Sequence, residues 1–435
     1  MSRLAIVALL ASLTASPVRA ETADAPTPSP SARRAFESAR SRLLQVRTLL
    51  QGQDSQASVG SGFVVSPDGL AVTNYHVVSQ AALDPKRFRL VYASVDGEQG
   101  GLQLLAFDAL HDLALVRLSR PAGARPLPAL AFRLQGAAIE KGERIYSIGN
   151  PLDVGFAVTE GTYNGLVERS FYPSIFFGGA LSPGMSGGPA LDEQGRVVGI
   201  NVATRLDGQL VSFLVPARHA EELLARGRSA QPLQRPVYPE LVRQLLVHQD
   251  LLTSRFTAQP WRAGGSARYA IPVPQETFMR CWGHTTPAES KGMQFERSDC
   301  VMDNAIFVSG SLRTGSLSVQ HEEYDGRRLG ALRFAKQYSA SFRNEAFGES
   351  DKTRTAPQCQ ERDVDRGGLP LHAVLCLRAY RKLSGLYDLS VLVATLDQTQ
   401  GGAQGRMDVR GVSFENALKL ADFYLQGFGW KSDAR

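Results

Sequence analysis

Short apolar runs alternate with turn residues from about Arg42 to Val215. Gly62-Phe63-Val64-Val65 runs into Ser66-Pro67-Asp68-Gly69 and returns through Leu70 to Thr73. Proline presets φ at such a turn and glycine closes it, so the segment predicts a β-hairpin. The same pattern recurs where Asp192-Glu193-Gln194-Gly195 joins Pro189-Ala190-Leu191 to Val197-Val198-Gly199-Ile200, and where Leu206-Asp207-Gly208 joins Val202 to the run Leu210 to Val215. A Pro-rich stretch, Pro121 to Pro128, divides the region into halves of similar size. Each half holds several strands and no long helical pattern, which predicts two small barrels or sandwiches. A short helical pattern from Ala217 to Ala225 closes the unit, and 227–239, rich in proline, glycine and polar residues, predicts a linker.

Beyond the linker the periods mix, and 240–435 reads as a separate α+β domain. A helix is expected over Glu240 to Arg255 with Leu241, Leu245 and Leu252 on one side, another near Leu329 to Phe342, and a last one from Ser413 with Leu418, Ala421 and Leu425 as its apolar stripe. Strands are expected near Ala305 to Val308, Ser316 to Gln320, Ala373 to Tyr380 and Tyr387 to Ala394. At the other end, Arg3, the apolar stretch Leu4 to Leu13 and the small residues of Ser16-Pro17-Val18-Arg19-Ala20 read as a signal peptide over 1–20. The Pro/Ser/Thr/Ala-rich residues after it read as a flexible segment over 21–41. Export to the periplasm or the exterior is the expected location, and no later run of about 18 apolar residues predicts a transmembrane helix.

Composition narrows the function classes. The formal net charge of +6 falls to +4 without Arg3 and Arg19, and the remaining arginines are scattered, the longest basic runs being pairs such as Arg33-Arg34 and Arg327-Arg328. Nucleic-acid binding needs a clustered basic face, and none is expected here. The four cysteines, Cys281, Cys300, Cys359 and Cys376, lack the close spacing of a zinc site, while export makes disulfides available. Three connectivities are open; Cys281 with Cys300 and Cys359 with Cys376 is favoured because each pair closes a short loop. His321-Glu322-Glu323 reads as alternate residues at an exposed strand end rather than metal ligands, and no metal or cofactor is assigned.

Three segments supply the side chains that acyl transfer needs. Thr73-Asn74-Tyr75-His76 places a histidine directly after a strand, His111-Asp112-Leu113 an aspartate at the mouth of another, and Pro183-Gly184-Met185-Ser186-Gly187-Gly188 a serine in a glycine-rich turn. A serine hydroxyl is a poor nucleophile until a neutral imidazole can take its proton, and the imidazole needs a carboxylate to fix its tautomer. The backbone N–H groups of Gly184 and Ser186 are candidates to converge on an oxyanion. His111 reads as a solvent-facing neighbour.

In these residues the sequence resembles the trypsin-like serine endopeptidases of the chymotrypsin fold, most closely the bacterial HtrA (Deg) branch. The likeness runs from Gly60-Ser61-Gly62-Phe63-Val64 through the three segments, Ile148-Gly149-Asn150-Pro151 and Val158-Thr159-Glu160-Gly161 to Phe213-Leu214-Val215-Pro216. It implies an all-β protease domain over 42–226 made of two six-stranded barrels, with His76 and Asp112 from the first and Ser186 from the second. It implies cofactor-free hydrolysis of unfolded or exposed polypeptides, in a setting such as protein quality control. Ala180, six positions before Ser186, would line the base of the primary pocket, with Ser212, Phe213 and Leu214 as its other wall and Leu214 narrowing the entrance. Such a pocket holds no carboxylate and favours small aliphatic side chains over Arg or Lys. Two departures stand out. Met185 replaces a common Asn, and Gly178-Gly179 replaces Asp-Ala, which loosens the loop; no PDZ pattern is recognisable after the linker. The competing class is a catalytically silent, protease-like binding or chaperone-like protein.

Overall fold

The computed structural model describes residues 28–431 apart from 134–137, 205–210, 265–267, 288, 345, 346 and 349. The leader over 1–20 and the Leu206-Asp207-Gly208 turn lie outside the described residues. The first helix, α1 (Pro30–Ala39), starts with Ser29 accepting a hydrogen bond from the Ala32 amide and with proline in its first turn. Both features favour a helix N-terminus. Its buried face is Ala32, Ala35 and Ala39; the first two pack on Tyr146, and Ala39 enters a larger cluster. The flexible segment expected over 21–41 is therefore corrected at 30–39, where small residues at helical spacing let the backbone lie close against the protein.

Two closed barrels follow. β1 (Leu43–Leu50), β2 (Gln56–Val64), β3 (Leu70–Asn74), β4 (Phe88–Ser94), β5 (Gln99–Asp108) and β6 (Leu113–Leu118) close in the order β1-β2-β3-β6-β5-β4, with α2 (Tyr75–Leu83) between β3 and β4. β7 (Arg144–Gly149), β8 (Ala157–Leu166), β9 (Ile175–Phe177), β10 (Pro189–Leu191), β11 (Val197–Thr204) and β12 (Ser212–Pro216) close in the order β10-β11-β12-β9-β8-β7. All pairings are antiparallel, and the 66–69 turn stands where expected, with the Ser66 hydroxyl accepting from Leu70 N–H. Phe63, Leu70, Leu113 and Leu115 of the first barrel and Ile148, Leu191 and Ile200 of the second share one apolar cluster, to which α3 (Ala217–Gly227) adds Ala220 and Leu223. The cleft between the barrels is held by this common core.

The remaining chain begins with α4 (Tyr238–Ala258) and three short strands, β13 (Arg262–Ala263), β14 (Tyr269–Ala270) and β15 (Pro272–Val273). A seven-stranded antiparallel sheet is built from β16 (Met279–Thr285), β17 (Gln294–Met302), β20 (Leu317–Asp325), β21 (Gln358–Arg366), β22 (Leu369–Ala379), β23 (Leu386–Thr395) and β24 (Gly401–Ser413), in the order β16-β17-β20-β24-β23-β22-β21. β18 (Ile306–Ser309) and β19 (Leu312–Thr314) form a separate hairpin; α5 (Ala331–Ser341), α6 (Phe414–Gln426) and β25 (Gly429–Trp430) complete the chain. Cys281 faces Cys300 across β16–β17 and Cys359 faces Cys376 across β21–β22, and both pairs are bonded.

Three expectations need correction. The α+β half is not separate: Val237, Leu241 and Leu245 of the α4 region, Ile306, Val308 and Leu312 of the hairpin, and Tyr380, Leu383 and Leu386 join the core of the first barrel. His321 is not at an exposed end but in the middle of β20, buried, with its Nε2 3.1 Å from the Tyr424 hydroxyl. On α6 Ala421 is buried and Leu425 packs partly buried as expected, but Leu418 is exposed and the buried face is completed instead by Ala417, Leu420 and Tyr424.

Candidate active site

The strand-to-helix junction at Asn74 places His76 in the first turn of α2. Asp112 stands in the turn between β5 and β6 with φ of 55°, a region that non-glycine residues rarely enter and that a structure must over-determine. Four contacts do so. Its carbonyl accepts from Asn74 Nδ2 (2.7 Å) and Tyr75 N–H (3.1 Å), one carboxylate oxygen accepts from His76 N–H (2.8 Å), and the other meets His76 Nδ1 at 2.5 Å. Burial pulls the His76 pKa down, the Asp112 carboxylate pushes it up by charge and hydrogen bond, and Arg313 opposes the carboxylate; the net result is a raised pKa. With Nδ1–H bound to Asp112, Nε2 is the free base.

Ser186 lies in the loop between β9 and β10. Strand β2 holds this loop through one residue: Ser61 N–H donates to the Ser186 carbonyl (2.8 Å), and Ser61 Oγ donates to the Gly184 carbonyl (2.7 Å) and accepts from Asn150 N–H (2.9 Å). Asn201 holds it from the other side, its Nδ2 donating to the carbonyls of Ile148 (3.0 Å) and Met185 (3.2 Å). Gly187 takes φ of +86°, and a Cβ there would meet the Ser61 carbonyl oxygen at 2.2 Å, so no other residue fits. The Met185 N–H donates to Ser182, whereas the N–H groups of Gly184 and Ser186 find no acceptor among the described residues. Two amides flanking a satisfied one are thus left for a ligand. Ser186 Oγ donates to the Val202 carbonyl at 3.2 Å, and no hydrogen bond links it to His76 among the described residues.

The departures are accommodated by packing. Met185 is buried in the second barrel against Gly149, and Gly179 lies so close to the Phe177 ring that a Cβ would approach it to 2.4 Å. The loop is closely packed there, not loosened. The pocket residues fare unevenly. Phe213 lines a 530 Å³ cavity that also reaches Asp112 and Val202, whereas Leu214 is fully buried in the core with Ile145, Ile175 and Phe177. Leu214 does not narrow an entrance, because on β12 its side chain alternates to the core face. Ser212 is buried, and Ala180 is exposed outside this cavity. His111 is corrected as well: it is mostly buried, 3.0 Å from Asp108 through Nδ1 and stacked on His219.

Ser61 and Asn74 stand in the sequence motifs without a role assigned to them, and Asn201, Phe307 and Arg313 carry no local signal in the sequence. Phe307, from the hairpin of the α+β half, lies edge-on to His76 with ring centroids 6.0 Å apart.

Two closed barrels, a histidine–aspartate pair from one and a serine loop with two open amides from the other, fit the frame of a trypsin-like protease domain. Residues 60–200, which contain all three candidates, match the family model described as a trypsin-like peptidase domain. The chain is similar to the putative serine protease HhoB of Synechocystis sp., 30% identical over 45% of this chain and 48% of the relative. It is similar to a probable periplasmic serine endoprotease DegP-like of Hahella chejuensis, 32% identical over 47% of this chain and 42% of the relative. The putative serine protease HhoA of Synechocystis sp. is 30% identical over 57% of this chain and 60% of its own length. The chain therefore spans about half the length of the curated relatives it matches.

Proposed function

We propose that the protein is an exported serine endopeptidase acting on unfolded or exposed polypeptides, in a setting such as quality control. The observation that carries the reading is the His76–Asp112 pair at 2.5 Å facing a serine loop whose flanking amides are open. Attack requires Ser186 to rotate about its Cα–Cβ bond, taking Oγ from the Val202 carbonyl toward Nε2. Oγ then bonds to the scissile carbonyl carbon as its proton passes to His76 Nε2, and the carbonyl oxygen takes the charge against the N–H groups of Gly184 and Ser186. Collapse breaks the C–N bond, His76 returns the proton to the leaving amine, and water, deprotonated by the same imidazole, releases the acyl group. Asp112 fixes the tautomer and stabilises the imidazolium.

No helix among the described residues is long and apolar enough to cross a membrane. Export rests on the leader read from 1–20, on the two disulfides, and on a relative described as periplasmic. The test is degradation of denatured casein by the purified protein beside Ser186→Ala and His76→Ala variants. Loss in both variants with unchanged circular dichroism supports the assignment, and equal rates in all three overturn it.

A further inference from the structure

The α+β half reaches into the cleft. The Tyr75 hydroxyl, next to the candidate base, donates to the Val308 carbonyl at 3.2 Å, and Ile306, Val308 and Leu312 sit in the core of the first barrel. The hairpin β18–β19 is thereby fixed on α2. From it Phe307 lies edge-on to His76 and, at 6.3 Å, to Tyr75, with the Arg313 guanidinium 5.4 Å over the Phe307 ring. On the other side Asn304 Nδ2 donates to Ser170 Oγ at 2.6 Å, tying the segment before the hairpin to the β8–β9 loop. The 530 Å³ cavity beside the candidate site is walled by Val202 and Phe213 of the second barrel and by Phe307 and Arg313 of the hairpin.

The charges in this cavity do not balance. Asp112 is held by His76, Asp303 by Arg280 at 2.6 Å, and His111 by Asp108. His248, held by Tyr172 and the Gly315 carbonyl, is kept neutral by burial, its pKa lowered to about 4. Arg169 and Arg313 are exposed and make no salt bridge among the described residues. With His76 neutral, Asp112 sets one negative charge against these two guanidiniums, so the net charge is positive, in a wall that includes Phe171, Phe213 and Phe307. A peptide filling the cavity strips water from these guanidiniums, which favours a carboxylate and penalises a cation.

We propose that the hairpin 306–314 is part of the substrate cleft, with Phe307 as its wall and Arg313 selecting an acidic side chain of the polypeptide close to the scissile bond. This deepens the endopeptidase reading of Ser186 and rests on it. Arg313 is exposed and Phe307 half-buried, so both positions tolerate substitution.

The test profiles full-length protein on a proteome-derived peptide library at about pH 8.5, above the ordinary histidine range, and compares positions within each profile, so that a uniform change in rate from an altered field at His76 cancels. Wild type is expected to enrich Asp or Glu at one position near the cut. Arg313→Glu is expected to lose that enrichment and favour Lys or Arg there, with the ratio of kcat/KM for a matched Glu peptide to that for its Gln analogue falling ~10-fold. Ser186-dependent cleavage with the same profile in both proteins overturns the inference alone. Absence of any Ser186-dependent cleavage overturns it together with the endopeptidase reading.

Discussion

Asp112 is held through its carbonyl by Asn74 and Tyr75 and through its carboxylate by His76. Its backbone conformation, unusual for a residue with a side chain, turns the carboxylate toward both the amide and the ring of His76. Asp112→Asn keeps the size but presents an N–H₂ where Nδ1–H must donate, so kcat is expected to fall by about 10³–10⁴ with little loss of folding stability; steady-state kinetics and a urea melt check both. The pH dependence follows from the raised His76 pKa. The base must be neutral, so kcat/KM rises with pH through a midpoint above that of an ordinary histidine. Arg313 carries a positive charge that disfavours the imidazolium, so Arg313→Ala is expected to raise the His76 pKa further and move the acid limb to higher pH. A limb that stays put or moves down contradicts that assignment. At this scale the three candidate side chains could be singled out because each sits in its own short motif. Ser61 and Asn201 could not, because the atoms they hold lie 123 and 53 positions away in sequence and only the closed barrels bring them together.

Hairpins with Pro-Asp-Gly or Asp-Glu-Gln-Gly turns could be read directly, since turn chemistry is local. Elements defined by long-range packing could not. β24 contains Gly401, Gly402, Gly405 and Gly411 among charged residues and resembles a loop in sequence, yet it is a central strand: a Cβ at Gly402 or Gly405 would run into Tyr338 of α5 or Tyr424 of α6. Of the four cysteine strands only that of Cys376 was expected; β21, which carries Cys359, was missed for a related reason, as it is almost wholly exposed and shows no apolar alternation. The bridges fasten these outer pairs of the sheet, closing loops of sequence separation 19 and 17. Cys359→Ala/Cys376→Ala is expected to cost ~3 kcal/mol, read from denaturant unfolding. Burial gives a second prediction. His248 and His321 have pKa values lowered to about 4 and about 3 by desolvation. Their neutral forms support the fold above the unfolded-state value near 6.5, and that support is lost as pH falls toward the folded values. Each histidine then contributes a slope of about 1.4 kcal/mol per pH unit to the unfolding free energy, and His248→Gln is expected to remove one proton's worth.

The whole molecule behaves as more than a protease frame with an appendage. Because α4, the β18–β19 hairpin and the 380–386 segment cover apolar residues of the first barrel, a chain cut within 228–236 would expose that core. Truncation there is expected to yield aggregated protein, and Leu245→Ala, in the shared cluster, to cost ~3 kcal/mol and lower the melting temperature of barrels and sheet together. Separate transitions for the two halves in calorimetry would contradict a common core. The same docking carries Phe307 and Arg313 to the candidate base, so the half whose role the sequence left open supplies one wall of the cleft. The central claim is that Ser186 is an activated nucleophile, and the most direct measurement is labelling of the full-length protein with a fluorophosphonate, followed by peptide mapping of the adduct. The account predicts one adduct per chain, on Ser186, absent from Ser186→Ala and strongly slowed in His76→Ala. Labelling at another residue, or none under conditions where the protein is folded, would contradict it.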